Sequence, residues 1–202
     1  MPQFDLRNIK CAKYNNTAGA ISYSDVQAVG DAMTANLELR FAEGRLFAES
    51  SLAEYIRKCT GGTISLCVKY IKTGAQKLMF GLTENSRQVD YVDEGGTSVT
   101  ANITSLRTGK KTVGSYVGLV FYAPDMIDGE EKFTCVFLSR CMFGEPSMTL
   151  QTAGESIQFN TPATSGEFLA DESDAGSIKE IAICDDEGAA KAWCDAVFAD
   201  AA

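Results

Sequence analysis

The chain has 202 residues, 45% of them hydrophobic and 22% charged, with 27 acidic against 18 basic side chains and no histidine. This composition supports a folded domain with a sizeable core and excludes a disordered chain. A formal net charge of -9 argues against a protein that grips nucleic acid through phosphates, which needs Lys and Arg in excess, but not against a surface that nucleic acid must slide past.

The N-terminal MPQFDLRNIK has no apolar core and no small-residue cleavage site, so no signal peptide is expected and the protein is expected to begin in the cytoplasm. Ile9 and Cys11, alternating with Lys10 and Lys13, predict a first strand, and AISYSDVQAVGDA predicts a strand-loop region. In ANLELRFAEGRLFAES, Leu37, Leu39 and Phe41 point one way and Glu38 and Arg40 the other. AEGR, Ala42 to Arg45, then predicts a turn with Gly44 free to take positive φ, and Leu46 begins the return strand. SLAEYIRKCTGG is helix-compatible, with Leu52, Tyr55 and Ile56 on one face and Gly61 and Gly62 as terminators, and it also fits a connection between strands. TISLCVKYI predicts a strand with Ile64, Leu66, Val68 and Tyr70 on one face, and TGAQKLMFGL a helix stopped by Gly81.

Thr83 to Ser115 reads as an extended excursion, a hairpin or a loop. Beyond it YVGLVFYAP predicts a strand whose apolar run, Val117 to Pro124, is too short to span a bilayer, and DMIDGEE predicts a turn. In KFTCVFLSRCMF both alternating sets are largely apolar, which predicts a strand buried on both faces and ended by the GEP at Pro146. SMTLQT, SIQFNT and TSGEFLA predict short strands. In DDEGAAKAWCDAVFAD, Ala190, Trp193, Val197 and Phe198 fall at helical spacing behind the cap candidates Asp185 and Asp186. The sum is one mainly β domain over residues 1–202, a sandwich or barrel with one or two flanking helices.

The residues that could carry chemistry do not assemble by pattern. Without histidine, Ser-His-Asp and Cys-His arrangements within the chain are excluded, and no S-x-x-K occurs. AGESIQ has Gln158 where a nucleophile elbow needs its second Gly, and TGKKT has Thr104 and Lys111 where a phosphate loop needs Gly and Ser or Thr. DESDAGSIKEIA has Gly176 and Ile178 in calcium-loop register, but Ala175 and Ala182 stand where oxygen ligands are needed. The seven cysteines, 11, 59, 67, 135, 141, 184 and 194, are odd in number and show no C-x-x-C, so reduced core thiols are expected and no metal or cofactor. A carbohydrate-binding or adhesin module, with an exposed aromatic platform, and a hydrolase with paired carboxylates remain open alternatives.

The stretch YVGLVFYAPDMIDGEEKFTCVFLSRCMFGEPSMTLQTAGESIQFNTPATSGEFLA resembles the C-terminal half of the major tail protein family of long, non-contractile-tailed bacteriophages and prophages of Gram-positive hosts. Shared features are the aliphatic-aromatic strand, the acidic-glycine turn, the strand ending in FGEP and the element FNTPATSG. LRFAEGRLFAES is similar to the family's early hairpin, TGAQKLMFG to its short helix, and the helix bearing Trp193 and Phe198 to its last helix. Val89 to Ser115 departs from the pattern. The resemblance implies a tail tube-like fold and a structural virion protein, not an enzyme. Six copies would close a ring, and rings would stack into a hollow tube for the genome. It further implies tape measure, tail terminator and distal tail proteins as partners, DNA passing through the lumen without specific binding, and no membrane anchor. Candidate inter-ring or lumen residues are Glu38, Glu43, Gly44, Arg45 and Glu49, with the turn at Ala42 to Arg45 and the excursion around Val89 to Ser115 as candidate grips. A tail terminator or an injection-system tube protein would share the ring.

Overall fold

A computed structural model describes residues 5–48, 51–148, 152 and 161–199. The protein is mainly β. Ten strands, β1 (Arg7–Thr17), β2 (Ala20–Ala28), β3 (Ala32–Ala48), β4 (Ser51–Val68), β5 (Thr83–Val92), β6 (Ser98–Arg107), β7 (Val117–Ile127), β8 (Glu130–Phe143), β9 (Ala163–Leu169) and β10 (Lys179–Cys184), are flanked by two helices, α1 (Thr73–Phe80) and α2 (Glu187–Ala199). All but β5 and β6 join one antiparallel sheet in the order β2-β1-β7-β8-β9-β4-β3, with β10 also on β8. The short strands expected in SMTLQT and SIQFNT fall largely outside the described residues, as does AGESIQ.

β8 is the pivot. As its two apolar sets predict, it is buried on both faces. Phe133, Cys135 and Phe137 face α2 in one cluster with Val120, Tyr122, Ala190, Cys194 and Phe198. Val136 and Leu138 face a second cluster with Ile9, Cys11, Leu119, Ile64, Leu66, Val68 and helix α1. On its far edge β8 pairs with β10 over Phe133 to Leu138 and with β9 over Arg140 to Phe143. Between these stretches the β7–β8 register shifts, from Leu119↔Leu138 to Val117↔Cys141. The shift lets Cys141 and Phe143 join Leu138 in the same cluster, which strict alternation would forbid, and it marks where the sheet turns its β9-β4-β3 wing over β1.

Local signals explain the joints. Asp128 and Gly129, at φ 54° and 85°, close the β7–β8 hairpin with the double left-handed geometry that matches strand twist. Gly81, at φ 70°, caps α1 as expected, behind the buried Ala75, Leu78, Met79 and Phe80. Asp186 caps α2: its Oδ1 accepts the Ala189 amide at 2.8 Å. Asp185 instead accepts the Lys132 ammonium at 2.8 Å. All seven cysteines are free, with Cys11, Cys135, Cys141 and Cys194 buried. Burial pushes the Cys11 thiol up to about 12 and the Cys194 thiol to about 11, the signature of packing rather than reactivity.

Candidate assembly surface

Two long ribbons stand off this body. The first is the outer part of β3 and β4. β4 pairs with β9 only from Gly62 to Cys67, whereas β3 and β4 pair with each other out to Ala48↔Ser51. Beyond the base, the ribbon therefore has no third strand among the described residues. At the base, Arg40 pairs with Gly61 and Phe41 with Cys59, so Thr60 is an extra residue that re-aims the ribbon. Gly61, at φ +129°, and Gly62 sit there because the backbone passes tightly: a Cβ on Gly62 would lie 2.2 Å from the Glu38 carbonyl oxygen and 2.4 Å from Phe168 Cζ.

The ribbon has two unlike faces. On one, the Arg57 guanidinium lies 3.9 Å from the Phe41 ring centre and 3.4 Å from a Glu43 oxygen. Arg45 lies 3.6 Å from Glu43 and over Tyr55 at 5.6 Å. A hydrogen bond to Glu43 raises the Tyr55 phenol. This ladder holds the strands together with no core beneath them. On the other face Gly44 pairs with Ile56 and Leu46 with Glu54, leaving Leu46 57% and Ile56 65% exposed. Phe47 and Leu52, paired near the tip, are exposed as well.

Five expectations are corrected here. Ala42 to Arg45 is not a turn, Gly44 lies in the strand interior without positive φ, and Leu46 continues β3 rather than beginning the return. The ladder of Phe41, Glu43 and Arg45 against Cys59, Arg57 and Tyr55 carries the strand through the glycine. Residues 51–62 are strand and not helix. Tyr70 lies outside the strand, 48% exposed, whereas Ile64, Leu66 and Val68 are buried together as expected.

Of the candidate lumen residues, Glu43 and Arg45 share the ladder, Gly44 stands on the opposite face, and Glu49 lies outside the described residues. Glu38 is separate from them, on the outer face of the β3-β4-β9 wing, in a row with its cross-strand neighbour Thr63 and with Glu167. Arg40 reaches Glu167 across this face at 3.0 Å. Thr34, Asn36, Ser65 and Ser165 complete a polar surface.

The second ribbon is β5 and β6, a two-stranded sheet of its own, ten residues to a strand and closed by 93–97. The excursion is thus a hairpin. In its register, Val89, Tyr91, Val99, Ala101 and Ile103 share one face with Arg87, and Ser86, Gln88, Asp90, Val92, Thr100, Asn102 and Thr104 the other. Leu106 and Leu82 tie its base to the core. Further out the apolar face is uncovered among the described residues, with Tyr91 and Ile103 about half exposed, while Val92, opposite Ser98, stands exposed on the polar face.

Elsewhere, two open cavities of about 390 Å³ flank the body. One is lined by Tyr70, Ile71, Phe80, Pro146 and Met148. The other lies among Tyr23, Phe137, Asp171, Ser177 and Trp193. Trp193 packs against the α2 cluster and does not form a flat exposed platform. Asp171 Oδ1 is engaged by Ser173 and by the Ser177 amide at 3.0 Å, so the calcium-like loop is closed on itself. Among the described residues no group of three or more His, Cys, Asp and Glu is placed to hold a metal ion. None of the described helices is long and apolar enough to cross a membrane. Compared with known proteins, the chain matches no family model and no curated protein.

Proposed function

We propose that this chain is a tail tube subunit of a long, non-contractile bacteriophage tail, assembled in the host cytoplasm and resident in the virion. The observation that carries the reading is the pair of ribbons, on which Leu46, Phe47, Leu52, Ile56, Tyr91 and Ile103 are about half or more exposed among the described residues. Isolated two-stranded hairpins are marginal in water, and exposed apolar strips of this kind mark contact surfaces. The strands β2 and β3 also end the large sheet's main path, so among the described residues each subunit offers open sheet edges to neighbours.

Magnitudes favour a closed assembly over a pair. Covering the half-exposed Leu46, Phe47, Leu52, Tyr55 and Ile56 is worth about 1 kcal/mol each. Their sum is of the same order as the cost of bringing two molecules together. One contact is then weak. A ring, in which every subunit contacts two others, is stable. The polar face bearing Glu38, Thr63, Ser65, Ser165 and Glu167 is the candidate lumen surface, with hydroxyls and carboxylates that do not hold phosphates and with Arg40 tied to Glu167. Tape measure, terminator and distal tail proteins are the partners this role requires.

The test is negative-stain microscopy of the purified protein over a concentration series. Hollow tubes of stacked rings are expected. Single rings that never stack would move the assignment to a terminator, and a monomer at every concentration, also with tail partners present, would overturn the reading.

A further inference from the structure

The β5–β6 ribbon has a matched receptor on the body, and the match is between copies. Its tip, DYVDE over residues 90–94, holds three carboxylates and no base, around Tyr91 and Val92. Asp93 shapes the turn by accepting the Thr97 amide at 2.8 Å, while Glu94 makes no ion pair among the described residues. At the ribbon's other end, RTGKKT over residues 107–112 holds three bases and no acid. Neither Lys110 nor Lys111 pairs with a carboxylate among the described residues, which is notable in a chain of net charge -9.

Through Thr108 this basic turn adjoins the apolar groove of about 390 Å³ lined by Tyr70, Ile71, Phe80, Pro146 and Met148, whose Lys69 lies 3.9 Å from Asp31. Thr108 joins the two: its hydroxyl donates to Glu145, the carboxylate among the groove's described lining, at 3.0 Å. Gly109 and Thr112 close the turn through a 3.0 Å backbone bond. The groove is thus largely apolar and adjoins a basic turn, and the ribbon tip presents an exposed Tyr91 among acidic side chains.

The tip cannot reach the groove of its own chain. The groove and the basic turn lie at the root of the ribbon, and ten-residue strands set the tip roughly 30 Å away. We infer that Tyr91 of one copy, with its cross-strand neighbour Val99, seats in the Tyr70–Phe80–Met148 groove of the next, with Asp90 and Glu94 against Lys110 and Lys111. The contact is head-to-tail, so it propagates instead of closing on a pair. It rests on the tail tube reading and specifies how its copies engage.

Two experiments decide it. A photo-crosslinking amino acid at Tyr91 is expected to give intermolecular products on residues 69–80 or 145–148. Products on any other surface, within one chain, or none at all overturn the inference. If tubes still form, the tail tube reading survives that failure, and if they do not, both fall. In the second, Asp90→Lys/Glu94→Lys and Lys110→Glu/Lys111→Glu are made as separate full-length variants. Each alone is expected to raise the concentration for half-assembly by about tenfold or more through like-charge contact. An equal mixture restores assembly, because each tip then meets a groove of opposite sign. Unchanged assembly of the single variants, or a mixture no better than either, overturns the inference. Matching melting curves for the variants separate these outcomes from misfolding.

Discussion

Arg57 holds its guanidinium carbon 3.9 Å from the centre of the Phe41 ring, across two strands with no core beneath them. The contact stands between the root of the first ribbon and the Glu43 ion pairs further out. An exposed cation-π pair is worth about 0.5–1 kcal/mol, and an exposed ion pair less. Arg57→Ala is therefore expected to speed amide exchange over 41–58 by about two- to fivefold. The melting temperature stays within about 1 °C of wild type, because the ribbon opens without the body. Exchange mass spectrometry reads the first number and calorimetry the second. A drop of several degrees would mean that the ribbon belongs to the main cooperative unit.

Two glycines of the same hairpin should answer substitution in opposite ways. Gly44 has nothing within 4 Å of where a Cβ would sit, and its backbone is not left-handed. Gly44→Val replaces a weak strand residue with a strong one and is expected to leave stability unchanged or raise it by up to about 1 kcal/mol. Gly62 has no such room: a Cβ would meet the Glu38 carbonyl and the Phe168 ring. Gly62→Ala is expected to cost about 1–3 kcal/mol. For a chain of this size that is roughly 3–10 °C in melting temperature. Were Gly44→Val the damaging change, a turn at Ala42 to Arg45 would regain its case.

The same hairpin shows what could be read from the sequence. Where strands are regular, the alternation told: Phe133, Cys135 and Phe137 against Val136 and Leu138 predicts the doubly buried β8, and Gly81 the end of α1. Where a strand carries a bulge, the signal misleads. Leu46 pairs with Glu54 and Phe47 with Leu52, which leaves Ala53 unpaired. That extra residue puts Leu52 and Tyr55 three apart on one face, a helical spacing made by a strand. Exposure was illegible for a related reason. Phe41 continues the run of Leu37 and Leu39, but Leu37 packs on the core and Phe41 lies beyond the sheet that could cover it. The groove at Tyr70 and Phe80 joins segments far apart in sequence, and no local pattern marks it.

The base of α2 should report pH through one carboxylate. Glu187 Oε1 accepts the Tyr122 hydroxyl at 2.7 Å, the Lys191 ammonium at 3.0 Å and the Arg7 guanidinium at 3.3 Å. The Tyr122 bond, then Lys191, holds its carboxyl down at about 2, against an ordinary value of 4.5. A depressed folded-state value means that the charged form stabilises the fold. The contribution is complete above about 4.5 and is lost as the pH falls through about 2. Glu187→Gln removes the charge, so at neutral pH the variant should melt below wild type. The gap should narrow from about pH 4.5 downward and close near pH 2. Taking the difference between the two proteins cancels the titration of the other carboxylates. Trp193, the sole tryptophan, lies on α2 itself, and its emission during melting follows the element concerned. A gap that persists unchanged to pH 2 would show that Glu187 acts through shape and not through charge.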